Sequence, residues 1–147
     1  MINLNGDVDE IDLKILNMLE NNSRRPLREI GEELGIATST VYERMKKMEE
    51  NEVIKRYTIE KNFKKIGMNV LSFVLIKISS GNYKKVAKEI KDIDQVLEVH
   101  AASGEYDLVT KIATKDNSSL QDIVDQVNEM NYVDSTLTMF IMNTYKG

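Results

Sequence analysis

The 147-residue chain contains no cysteine and no tryptophan, a single proline, a single histidine, and only 6% aromatic residues. Without cysteine it can form no disulfide, no iron–sulfur cluster and no thiolate zinc site. One histidine, His100, argues against a histidine-based metal site or catalytic triad. No apolar run is long enough to span a bilayer: the longest, residues 70–78, has nine residues and includes Ser72 and Lys77. The opening MINLNGDVDEID is acidic and polar, unlike a signal or transit peptide. The seven glycines are scattered, so no phosphate-cradling loop is present. These absences leave a cytoplasmic globular protein with no implied cofactor or metal.

What is present is 41% hydrophobic and 30% charged, a composition that builds a packed core. The formal charge is −4, which argues against a simple basic nucleic-acid binder. The distribution is more informative. Residues 1–60 carry nine Lys and Arg against thirteen Asp and Glu, whereas residues 61–147 carry eleven of each. All five arginines (Arg24, Arg25, Arg28, Arg44, Arg56) fall between 24 and 56, joined there by Lys46, Lys47 and Lys55. An acidic segment thus contains a local cluster of the cations whose planar fork suits phosphate and guanine edges.

Hydrophobic spacing organises the first 60 residues into three helices. Val8, Ile11, Ile15, Met18 and Leu19 predict an amphipathic helix over about 9–21, with Asp7 and Asp9 as caps. Pro26 suits the first turn of a second helix that carries Leu27, Ile30 and Leu34 and stops at Gly35. A third helix is predicted over about 39–50, capped by Thr38 or Ser39, with Val41, Met45 and Met48 on one face. The β-prone VIKRYTI at 53–59 reads as a strand or wing. Residues 60–69 read as a linker between a first domain at 1–59 and a second at 70–147.

The second domain has an internal repeat. Tyr83, Val86, Ala87, Ile90 and Ile93 share their spacing with Leu120, Ile123, Val124, Val127 and Met130, shifted by 37 residues. Each helix lies between β-prone runs, at 70–78 and 96–103, then 107–114 and 133–144. The order β-α-β-β-α-β is the ferredoxin-like arrangement, so the fold class is α+β. Both helices should cover one sheet face. Yet 70–78 is apolar on both sides, with Leu71, Phe73 and Leu75 opposing Val74, Ile76 and Ile78. A second copy, sheet against sheet, is the expected cover; the simpler rival is a fold-over of the linker or first domain.

Two constellations bear on function. LREIGEEL–GIA–TSTVYERMKKMEE supplies a helix–turn–helix. It leaves Ser39, Thr40, Glu43, Arg44 and Lys47 outside, with Tyr42 and Lys46 at the flanks, where base edges would be met in a major groove. Arg24, Arg25 and Arg28 stand ready for phosphates at the entry to the second helix. The bland reading is a three-helix bundle with an ordinary charged surface. The second constellation is Gly104-Glu105-Tyr106-Asp107 between the two repeats. By spacing alone it reads first as a hairpin connection, and second as a ligand loop in which Asp107 holds an ammonium and Tyr106 closes a pocket. His100 reads as structural or weakly pH-sensing, and the lysines at 84, 85, 88 and 91 as a solvated helix face.

With these motifs in order over 7–147, the chain resembles the Lrp/AsnC, or feast/famine, family of transcription regulators. VDEIDLKILNMLENNSR is similar to the family's opening helix. IGEELGIATSTVYERMKKMEENEVIKRYTI is similar to its helix–turn–helix and following strand, and GEYDL to its glycine–x–tyrosine–aspartate signature. The resemblance implies a winged helix–turn–helix joined to a ferredoxin-like domain that dimerises, binds amino acids, and assembles further to tetramers or octamers. It implies DNA contacts from Ser39, Thr40, Arg44 and Lys47. It implies an effector pocket lined by Ser103, Gly104, Tyr106 and Asp107, with Thr136 and Thr138 as weaker candidates. Three positions depart from the family pattern: Ala37 replaces a frequent capping serine, Gly31 a usual alanine, and Glu52 a frequent glycine.

The expected function is therefore that of a sequence-specific, effector-modulated DNA-binding regulator and not an enzyme. The alternatives are a nucleoid-like architectural protein that wraps DNA without a ligand, and a small enzyme or metabolite sensor.

Overall fold

A computed structural model describes residues 8–79 and 81–145. The chain divides into two compact units, Met1–Glu60 and Lys61–Gly147. In the first, three helices form: α1 (Glu10–Asn21), α2 (Leu27–Leu34) and α3 (Thr38–Glu50). Ile15, Leu19, Ile30, Val41 and Met48 make their common core, as the spacing predicts. Asp9 caps α1 in a capping box: its side chain accepts from the Ile11 and Asp12 amides, and Asp12 accepts in return from the Asp9 amide at 3.0 Å. Asp7 lies outside the described residues.

The other helix starts differ from expectation. Pro26 occupies the cap position of α2 rather than its first turn. Thr38 and Ser39 lie inside α3, whose cap position is Ala37, with no side-chain cap at all. The first-turn amides of α3 are therefore left without a side-chain acceptor.

Two of the sequence departures find physical reasons here. A Cβ on Gly31 would stand 2.7 Å from the Ile36 carbonyl oxygen, because the Ile36 amide turns back to bond the Gly31 carbonyl at 2.9 Å. The tight turn between α2 and α3 thus leaves Gly31 no room for a side chain. Glu52 closes α3 with φ of +56°, a left-handed conformation that favours glycine. The turn is tight despite the glutamate: the Ile54 amide reaches the Met48 carbonyl at 3.0 Å. The following 53–59 segment forms no strand, because no neighbouring strand among the described residues offers it a ladder. Besides that Ile54 bond, it is held by the Tyr57 hydroxyl, which donates to Glu49 at 2.7 Å.

The second unit begins with a 3-10 turn at Lys64–Ile66, inside the segment expected as linker. There follow β1 (Val70–Ile78), α4 (Tyr83–Ile90), β2 (Val96–Ala101), β3 (Leu108–Thr114), α5 (Asn117–Asn128) and β4 (Val133–Phe140). The four strands form one sheet of order β2-β3-β1-β4, and every neighbouring pair is antiparallel. This is the α+β, ferredoxin-like order read from the repeat. β1 matches its expected bounds, whereas β2 and β4 stop earlier than 103 and 144.

Val74, Ile76 and Ile78 face Val86, Ile90, Leu120, Ile123, Val124 and Val127, so both helices cover the same side. On the other side Leu75 lies between Val109 and Leu137, and Phe73 between Lys111 and Met139. Leu137 and Met139 are 43% and 44% exposed, so no described element of the second unit covers this apolar face.

Opposite stability changes follow in the segments on either side of α3, at Gly31 in α2 and at Glu52. Gly31→Ala gains about 1 kcal/mol of helix propensity but forces a methyl into backbone. We expect it to lower stability by about 1 kcal/mol net, read by thermal denaturation. Glu52→Gly relieves about 1 kcal/mol of left-handed strain and removes an acid from the negative end of a helix dipole. It should raise stability by about 0.5 kcal/mol after the unfolded-state entropy of glycine is charged against it.

Candidate nucleic-acid interface and effector loop

The exposed face of α3 carries Ser39, Thr40, Tyr42, Glu43, Lys46 and Lys47, with Tyr42 55% exposed. Val41 and Met48 on the opposite face are buried, so core packing fixes which side faces outward. Lys47 has no ion-pair partner among the described residues, and Lys46 pairs only with Glu50, at 3.8 Å. The outer face thus combines short hydroxyls at the helix start with two cations about two turns on.

The arginines behave less uniformly than their clustering suggests. Arg25 pairs with Glu33 and lies 4.0 Å from Glu29; Arg28 pairs with Glu32 at 2.7 Å. Arg44 donates from one Nη to Asp9 at 2.7 Å and to Asp12 at 2.9 Å. Arg24 and Arg56 have no ion-pair partner among the described residues. With Lys55 they line a groove of about 660 Å³ between the end of α1 and the 53–60 segment, alongside Leu16, Tyr57 and Ile59. Among the described residues of this unit, the cations without an ion-pair partner are therefore Arg24, Lys47, Lys55 and Arg56, together with Lys14. Sequence reasoning did not separate them from the paired ones, because their acids lie four, eight or more than thirty residues away.

The Asp9 carboxylate is held below its usual range, first by the Asp12 backbone amide and next by Arg44. Arg44 is correspondingly raised by Asp9 and Asp12.

In the second unit Ser103, Gly104, Tyr106 and Asp107 lie together on the connection between β2 and β3. Gly104 has φ of +140° with open space where a Cβ would stand, so conformation rather than room calls for glycine. Asp107 is more than a candidate ammonium ligand. Its carboxylate accepts from the Ile78 amide at 2.7 Å, its own amide donates to the Ile76 carbonyl at 3.0 Å, and its carbonyl accepts from the Ala102 amide at 2.9 Å. It joins the end of β1 to the hairpin.

Thr136 and Thr138 sit on β4 opposite Ile76 and Val74, on the helix-covered face, and Thr136 bonds Asn128 at 3.0 Å. Only β1 lies between the loop's end and β4: Leu108, which follows Asp107, and Thr136 flank Ile76 from its two sides. A groove of about 380 Å³ opens beside the loop. It runs from Ala101 and Leu108 to Lys84, Lys88 and Lys91, lysines that the sequence presents only as a solvated face.

His100 and Glu98 lie on the uncovered sheet face. Glu98 takes His100 at 3.2 Å and Lys111 at 3.2 Å and is held below its usual range, chiefly by His100.

Comparison with known proteins agrees with both units. The family model for the AsnC-type helix-turn-helix domain matches residues 8–49, and that for the Lrp/AsnC ligand binding domain matches residues 71–147. The chain is 38% identical over 143 residues to the HTH-type transcriptional regulator FL11 of Pyrococcus furiosus, covering 97% of this chain and 95% of that one. It is 31% identical over 140 residues to the HTH-type transcriptional regulator Ptr1 of Methanocaldococcus jannaschii, covering 95% of each. Among solved structures, Escherichia coli AsnC superimposes with a TM-score of 0.86 at 23% identity, over 95% of each chain. The regulator NMB0573 of Neisseria meningitidis, solved as an L-Met complex, superimposes with a TM-score of 0.87 at 20% identity, over 95% and 93%.

Asp107→Ala should leave the Ile78 amide without its acceptor and cost about 1–2 kcal/mol. Asp107→Asn keeps an acceptor and should cost less. Hydrogen exchange at the Ile78 amide, together with a denaturation curve, reads both.

Proposed function

Because this chain belongs to the Lrp/AsnC family of transcriptional regulators, we infer its mode of action from that premise. It is a DNA-binding transcriptional regulator with a ligand-binding second domain. The observation that carries the finer reading is the outer face of α3: a core-fixed helix that presents Ser39, Thr40, Tyr42, Glu43 and Lys47 to solvent. These side chains read base edges in the major groove, and Arg24, Lys55 and Arg56 supply phosphate contacts. Arg25 and Arg28 contribute only when their partner acids release them. The architectural alternative is not favoured, because a ligand binding domain model spans residues 71–147. The relatives are named as regulators, and we assign the chain no catalytic step.

The working unit is a homodimer closed by the uncovered sheet face, where Leu75, Leu137 and Met139 need a partner. Two recognition helices then lie about 34 Å apart and read a pseudo-palindromic site. Dimers assemble further, to tetramers or octamers, in the cytoplasm. An amino acid bound at Ser103, Gly104, Tyr106 and Asp107 shifts the balance between assemblies by its differential affinity for them. Thr136 and Thr138, across β1 from the loop's end, remain the weaker candidates for that site.

Leu137→Asp tests the dimer on an exposed residue, so the fold should survive. Sedimentation should show a monomer, and anisotropy should show affinity for a wild-type-selected duplex reduced at least about tenfold, the loss expected when two linked half-sites become one. An unchanged oligomer would refute the sheet-to-sheet assembly. Thermal-shift titration with each amino acid tests the effector: a rise confined to one or a few amino acids is expected, and no rise with any of them would refute it.

A further inference from the structure

Arg44 lies in the middle of α3, where the resemblance implies a contact with DNA. Its guanidinium points back into the domain instead. One Nη donates to Asp9 Oδ2 at 2.7 Å and to Asp12 Oδ1 at 2.9 Å, and the side chain is only 27% exposed. Both acids belong to the capping box of α1. Asp9 Oδ1 accepts from the Ile11 and Asp12 amides, and Asp12 Oδ2 accepts from the Asp9 amide. All four carboxylate oxygens are therefore engaged, two by the cap and two by Arg44.

The arrangement is electrostatically specific. A cation beside a helix N-terminus is repelled by the helix dipole, so Arg44 is stable there only because two carboxylates precede it. One guanidinium against two carboxylates also leaves the cluster with a net negative charge. To reach a phosphate, Arg44 would have to give up two charge-assisted hydrogen bonds and leave Asp12, whose side chain is 10% exposed, without its counter-ion.

We propose that Arg44 is a positioning residue, which sets the tilt of α3 against the N-terminus of α1 while the neighbouring side chains read the DNA. The inference rests on the DNA-binding function of α3 but assigns Arg44 a different role within it. It also makes Asp9 and Asp12, two acids in an acidic domain, requirements for binding a polyanion.

The contact role and the positioning role predict opposite signs for one substitution. Full-length wild type, Arg44→Gln, Asp12→Asn and the double variant are titrated by fluorescence anisotropy over a salt series. The probes are a duplex that the wild type enriches from a random pool and a scrambled duplex of the same composition. If Arg44 contacts DNA, Asp12→Asn frees it and tightens binding, and Arg44→Gln lowers the salt slope by about one.

Positioning predicts that Asp12→Asn weakens binding to the selected duplex about tenfold although it removes a negative charge, and that the double variant is no worse than the weaker single. It further predicts that Arg44→Gln keeps the wild-type salt slope while losing preference for the selected duplex. Circular dichroism and a melting curve identify any variant that does not fold. In that event the Arg44 guanidinium resonances of the wild type decide: they should stay in place when the selected duplex is added. Tighter binding by Asp12→Asn, a reduced salt slope for Arg44→Gln, or Arg44 resonances that move on the duplex would each overturn the inference alone. A wild-type chain that binds neither duplex would overturn it together with the DNA-binding reading.

Discussion

Two helices and one four-stranded sheet leave one face of that sheet uncovered, and much of the molecule follows from this shortage. β1 is the central constraint because it is apolar on both sides and runs between β3 and β4. On one side Val74, Ile76 and Ile78 are buried under α4 and α5. On the other, Phe73 and Leu75 are only half-covered, and Leu137 and Met139 on β4 are left open. A face of this kind costs hydration free energy in a monomer and repays it in an assembly. Glu98, His100 and Lys111 lie on the same face, so the Glu98–Lys111 ion pair and the Glu98–His100 contact border the apolar patch and give it a polar rim.

The first unit has a different problem: it must approach a polyanion while carrying four more acids than bases. Its solution is local. Acids are set against particular arginines, at Arg25, Arg28 and Arg44, and other cations are left without partners among the described residues. Charges further apart than about 8 Å are largely screened at physiological salt, so the field met by a phosphate is that of its neighbours and not of the whole domain. The Asp9 and Asp12 carboxylates then serve stability rather than opposing function. Because the folded Asp9 carboxylate titrates below its unfolded value, its contribution is fully present above about pH 3.9 and is lost as pH falls through the lowered value.

How much of this was legible in the sequence depended on the range of the interaction. Period and alternation gave β1 residue for residue and the helix cores of both units, because those signals are local and repeated. The element order, and both helices on one sheet face, follow from an internal repeat that brackets each helix with strands. Cap chemistry is partly legible: Asp9 caps α1 where its position predicts, but Ala37 holds the α3 cap position expected of Thr38 or Ser39, because nothing local shows that the helix begins uncapped. The 53–59 run has strand propensity and no partner strand, and propensity alone does not make a ladder.

The site was harder to read for the same reason. That α3 faces outward with Ser39, Thr40 and Lys47 follows from its spacing. That Arg44 does not behave like Lys47, three residues on, follows only from acids 32 and 35 positions earlier in the chain. Asp107 shows the same limit. Its residue type suggested a ligand for an ammonium group, whereas the fold gives its carboxylate an amide 29 positions back, at Ile78.

Asp107 also shows how a binding loop and a structural joint can be one object. A loop that binds a small molecule needs a fixed backbone, since each residue it must order on binding subtracts from affinity. Here the loop is fixed from β1, through the Ile76 carbonyl and the Ile78 amide, while Gly104 supplies the backbone conformation at its tip. The same strand carries Phe73 and Leu75 on the uncovered face. In the proposed assembly, a ligand at this loop would therefore act on the end of the strand that carries the uncovered face.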